Sequence, residues 1–136
     1  MKVFKTALLG TLILGASQLA LAAENPLSVH VLNLQDGLPS ADITVTLEKQ
    51  DGEDWKLLNT GLTNKQGRIP ALYPENKPLE KGIYRVTFET GKWFKQNKSE
   101  TFFPEVPVIF TVDGSVPHYH IPLLLSPYGY STYRGN

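Results

Sequence analysis

The chain has 136 residues, with 13 basic and 13 acidic side chains, three histidines and no cysteine. Thiolate-built zinc and iron–sulfur sites are therefore excluded, as are disulfides. Balanced charge argues against nucleic acid or an anionic membrane surface as partner.

Lys2 and Lys5 precede an apolar run from Ala7 to Ala16, and Ala20-Leu21-Ala22 follows as the small-x-small pattern read by a signal peptidase. This predicts a signal peptide over residues 1–22, cleavage after Ala22, and export, with a bacterial periplasm as destination. The run is too short for the roughly 20 residues of a membrane span, and no later segment approaches that length. Removing residues 1–22 takes away two lysines and no acid, leaving 11 basic residues against 13 acidic ones. Residues 23–136 then form one domain with room for one core. Without disulfides it must be held by packing, and many such domains gain burial by oligomerising.

Short alternating runs between turn residues follow, the pattern of a β-sandwich or barrel. Leu27 to Asn33 is the first strand, ended by a turn at Gln35-Asp-Gly-Leu-Pro39. From Asp42 to Lys49 the alternation is clean, with Ile43, Val45 and Leu47 on one side and Thr44, Thr46 and Glu48 on the other. A hairpin connection at Gln50–Asp54 returns the chain through a strand from Trp55 to Leu62. Asn64-Lys-Gln-Gly67 makes a tight turn into a brief strand from Arg68 to Leu72, and Pro74 to Lys81 is a polar loop. Gly82 to Thr90 is the next strand, and Gly91 to Lys98 is the one helix, its Trp93-Phe94 pair covering an end of the sandwich. Glu105 to Val112 carries Pro107, which favours a sheet edge. Strands from His118 to Leu125 and from Tyr130 to Arg134 close the chain. The fold class is all-β, a two-sheet antiparallel sandwich of about eight strands with one short helix.

Side chains two apart on a strand share a face. His118 and His120 thus lie with Pro122 and Leu124, while Tyr119, Ile121, Leu123 and Leu125 form the better core set. In the first strand His30 shares its face with Ser28 and Leu32, opposite Val29 and Val31. The histidine faces then look outward, to solvent or to a neighbouring subunit. Three readings stand side by side here: surface histidines that only hydrogen-bond, a catalytic or binding set, and a zinc site of His30, His118 and His120. No carboxylate lies near either segment, which counts against the metal. Arg68 and Arg134 serve as a loop-edge cation and a salt-bridge partner by default. Ser126 and Ser131 lack the context of a nucleophile elbow.

Leu27-Ser-Val-His-Val-Leu-Asn33 with Gly37-Leu-Pro39, Thr63-Asn-Lys-Gln-Gly-Arg68, and His118 to Gly135 together resemble the transthyretin-like 5-hydroxyisourate hydrolases. The terminal Tyr133-Arg134-Gly135 is the element that separates those hydrolases from transthyretin itself. The resemblance implies a homotetramer: sandwiches pair edge to edge, and two dimers stack over a channel lined by the histidine face. It implies His30, Arg68 and His120 as catalytic residues, and His30, Arg68, Tyr133, Arg134 and Asn136 as substrate-binding residues. Tyr133 would wall the pocket, and His118 is a supporting imidazole nearer the rim. Asn136 stands where the family has a terminal serine, and its amide has no hydroxyl to relay a proton. The implied substrate is 5-hydroxyisourate, hydrolysed to a carboxylated ureidoimidazoline (2-oxo-4-hydroxy-4-carboxy-5-ureidoimidazoline) in urate degradation. No metal or organic cofactor is implied, since hydrolysing an activated amide has no redox step. The alternative is a transthyretin-like small-ligand carrier without activity.

Overall fold

The computed structural model describes residues 24–136, and the expected signal peptide of residues 1–22 lies outside them. Two sheets arise from the alternation of apolar residues. One joins β1 (Leu27–Asn33), β2 (Leu38–Pro39), β5 (Arg68–Ile69), β8 (Tyr119–Ser126) and β9 (Gly129–Thr132), in the order β2-β1-β8-β9 with β5 also paired to β1. The other runs β4-β3-β6-β7, from β4 (Asp54–Leu62), β3 (Thr44–Asp51), β6 (Gly82–Phe88) and β7 (Val106–Val112). Pairing is antiparallel everywhere but between β1 and β8, which run parallel. The two-sheet sandwich expected from the sequence is therefore present, with that one parallel pair added.

Val29 and Val31 of β1 and Ile121, Leu123 and Leu125 of β8 face the core. Val45, Leu47, Val86 and Phe88 of the second sheet, all fully buried, are in the same core cluster. Each such side chain contributes about 1.5–3 kcal/mol by leaving water. The opposite faces of β1 and β8 are only half-buried: Ser28, His30 and Leu32 on one strand, His120 and Leu124 on the other. Burial of the apolar set is thus what turns the imidazoles outward.

Pro107 lies in β7, an edge strand whose single neighbour is β6, the position in a sheet where a residue without an N–H is tolerated. The helix α1 runs Thr90–Gln96, slightly earlier than expected, and Lys98, at φ 56°, follows its C-cap. Phe94 is buried beneath it and Trp93 Nε1 donates to the Ala41 carbonyl at 2.8 Å. The strand expected over Arg68–Leu72 pairs only at Arg68 and Ile69, because Pro70 follows at once and has no N–H to give. The Leu38-Pro39 end of an expected turn instead pairs with Leu32 and Asn33 as β2. The last strand stops at Thr132, so Tyr133 and Arg134 extend past the sheet.

Among the described residues, no helix is long and apolar enough to cross a membrane.

Candidate active site

Arg68 reaches the site through a turn built from Asn64. The Asn64 Oδ1 accepts from the backbone N–H of Gln66 and of Arg68, each at 3.0 Å, and the Gly67 N–H donates to the Asn64 carbonyl at 2.8 Å. Gly67 sits at φ +70°, and a Cβ there would lie 2.5 Å from the Val31 carbonyl oxygen. No other residue tolerates both that conformation and that approach to β1. The Val31 N–H in turn donates to the Gly67 carbonyl at 2.8 Å, which locks Arg68 into register opposite His30.

On the other edge of β1, Ser28 lies opposite His120 and His30 opposite Pro122. The outward face therefore carries Arg68, His30 and His120 on three adjacent strands, with Ser28 between them. Burial first, and then the positive charge of Arg68, hold His30 below the ordinary imidazole pKa of 6.5; a hydrogen bond with the Gln66 backbone works against this. His120 is lowered by burial, then by Arg68, His30 and His118, against a bond with the Ser28 backbone. Both imidazoles are thus held in their neutral form at pH 7, able to accept a proton. Arg68 is exposed and presents a planar fork suited to substrate oxygens.

His118 and His120 both meet one hydroxyl. The Ser28 Oγ lies 3.0 Å from His118 Nε2 and 2.6 Å from His120 Nδ1, while His118 Nδ1 lies 2.8 Å from the Asn25 carbonyl oxygen. The alternation of β1 places Ser28 on this face, and nothing local in the sequence marks it for a role. The alternation carried that signal; the parallel register that sets Ser28 against His120 is a tertiary fact.

The C-terminal residues divide. His120, Tyr133 and Arg134 line a cavity of about 300 Å³ together with Tyr119 and Phe110, and that cavity takes in neither His30 nor Arg68. The Arg134 guanidinium stands 5.6 Å from the Tyr119 ring centroid, within cation–π range. Tyr133 is 59% exposed, and Asn136 is exposed. In the single chain, then, His120 joins two groups of residues that no shared wall encloses. Among the described residues, no group of three or more His, Asp or Glu side chains is placed to hold a metal ion.

Gly135 fixes the His120 ring from outside. Its N–H donates to the His120 carbonyl at 2.9 Å, and a Cβ on it would lie 2.5 Å from His120 Cδ2 and 3.2 Å from Pro122 Cγ. Only a residue without a side chain fits. Gly135→Ala should push the imidazole aside; for the catalytic His120 that the family resemblance implies, a displacement of about 1 Å can cost ~10²-fold in rate. A loss of turnover on that scale, with the melting temperature nearly unchanged, is the expected outcome.

The chain matches the model of the HIUase/Transthyretin family over residues 27–135. It is 51% identical over 125 residues to a 5-hydroxyisourate hydrolase of Salmonella dublin, covering 91% of each chain. Among solved structures, a 5-hydroxyisourate hydrolase of Klebsiella pneumoniae superposes with a TM-score of 0.72 at 37% identity, covering 82% of this chain and 99% of that one. Transthyretin from Sparus aurata superposes with a TM-score of 0.75 at 29% identity, covering 81% and 96%.

Proposed function

The chain belongs to the HIUase/Transthyretin family, and we propose that it hydrolyses 5-hydroxyisourate at the amide bond of the six-membered ring. The observation that carries this reading is the convergence of His30, His120 and Arg68 on the outward face of one sheet. Likeness of fold alone serves a carrier equally well. Two neutral imidazoles beside a guanidinium serve water attack on a carbonyl.

In the proposed reaction one imidazole takes a proton from water as its oxygen bonds to the ring carbonyl carbon. Arg68 holds the carbonyl oxygen and stabilises the charge that develops there. The carbon–nitrogen bond breaks, the captured proton passes to the leaving nitrogen, and a ureido group and a carboxylic acid remain, the acid losing its proton to solvent at neutral pH. His30 and His120 act as a coupled pair, which titrates as a unit. Tyr133, Arg134 and Asn136 close over the substrate from the C-terminal segment.

The working form is proposed to be a tetramer. Strand β7 and strand β9 are unpaired on their outer edges, and Ile109 on β7 is 60% exposed. The site face itself continues into half-buried Leu32 and Leu124, paired across β1 and β8. Edge-to-edge pairing followed by stacking over this face would enclose His30, Arg68 and His120 and bury those leucines. We further propose export to the periplasm with cleavage after Ala22, for which the Lys2, Lys5 and Ala20-Leu21-Ala22 pattern is the support.

The deciding experiment follows the ultraviolet decay of freshly made 5-hydroxyisourate with and without the protein, while light scattering gives its mass. Decay no faster than the spontaneous rate, in a sample with tetramer mass, would leave the carrier reading in place.

A further inference from the structure

The chain of contacts from Asn25 to His120 fixes where each proton sits. A carbonyl oxygen can only accept, so His118 Nδ1, 2.8 Å from the Asn25 carbonyl, carries a hydrogen. Neutral His118 then has a bare Nε2. The Ser28 hydroxyl, 3.0 Å away, must give that nitrogen its single proton. With its proton spent, Ser28 Oγ can only accept from His120 Nδ1 at 2.6 Å. His120 is therefore the Nδ1–H tautomer, and its Nε2 keeps a free lone pair.

We propose that Ser28 and His118 are positioning residues for the reaction, holding His120 in the tautomer whose Nε2 accepts the proton from water. This deepens the hydrolase reading and rests on it. Left to itself a neutral imidazole exchanges freely between two tautomers, and only one of them presents a base at a given nitrogen. Here the choice is imposed from a backbone carbonyl two side chains away. The backbone supports the geometry at both ends: Tyr119 N–H donates to the Pro26 carbonyl at 2.8 Å, seating His118 over Asn25, and the β1–β8 register sets Ser28 opposite His120. It also gives a task to His118, the first histidine of the His-x-His pair, which the zinc reading would have used as a ligand.

The test is long-range proton–nitrogen correlation on protein labelled with ¹⁵N-histidine at about pH 8, where imidazoles are neutral. The wild-type protein is expected to show Nδ1–H for both His118 and His120. Ser28→Ala should release His120 into a mixture of tautomers and lower kcat. The loss is expected to be at least ~10-fold, with an upper bound near the ~10⁴-fold cost of losing the tautomer-fixing aspartate in a serine protease. Ser28→Thr, which keeps the hydroxyl, should restore both tautomer and rate. An Nε2–H signal for His120 in the wild-type protein overturns the proposal, as does a Ser28→Ala variant with unchanged tautomer or unchanged kcat. Because the tautomer is read without substrate, wild-type protein with the expected signals but no hydrolysis would remove the hydrolase reading and leave the relay standing.

Discussion

Replacing His120 by alanine is expected to slow 5-hydroxyisourate hydrolysis about 10²–10⁴-fold, the usual scale for losing a general acid or base. The fold should survive. His120 projects from the outward face, half-buried, while its neighbours Tyr119 and Ile121 hold the core from the other side of the strand. Circular dichroism and oligomer mass should match the wild-type protein. His30→Ala should lose activity on the same scale, because its ring stands in the same electrostatic cluster. His118→Ala should fall between that and the wild-type rate, since it loosens the relay through Ser28 and leaves the base in place. A reversed order, with His118→Ala inactive and His120→Ala fully active, would mean that the base is His118.

The second large effect concerns Arg68. Arg68→Ala should reduce kcat by about 10²–10³-fold, the scale found when one donor to a developing oxyanion is removed. It should also move the pH profile, and the sign follows from charge. Burial and the Arg68 guanidinium both disfavour imidazolium, so His30 and His120 titrate below 6.5. The wild-type rate should therefore be flat near pH 7 and fall only as pH drops through those depressed values. Without Arg68 the imidazolium forms are less opposed, the pKa values rise, and the acid limb shifts to higher pH. Arg68→Lys separates the two roles. It keeps the charge and so the position of the limb, yet lacks the planar fork and should remain slow. An unmoved acid limb in Arg68→Ala would show that the guanidinium is not electrostatically coupled to the histidines.

The outward placement of the histidines was legible because strand alternation is strict: once Val29, Val31, Ile121 and Leu123 claim the core, Ser28, His30 and His120 have one direction left. Pro107 marked an edge strand for an equally local reason. The parallel pairing of β1 with β8 was not legible, because pairing across ninety positions depends on how both sheets close and leaves no periodic trace in either strand. Without that register Ser28 remains an unremarkable polar residue on a half-exposed face. Strands β5 and β9 end earlier than their sequence patterns imply, where Pro70 cuts the ladder and where the last residues leave the sheet for the His120 ring. Resemblance to a family supplied what alternation cannot: which outward residues share a reaction.

Ser28 and His120, 92 positions apart, are drawn together by the strand at the start of the domain and the strand near its end. A polypeptide emerging from the ribosome amino end first holds one half of this arrangement long before the other exists. Such non-local pairing is also slow to form. Ser28 and His120 can meet only once both strands have been made, and cutting away the segment that carries Gly135 would leave a sandwich with its core intact and the His120 ring unsupported.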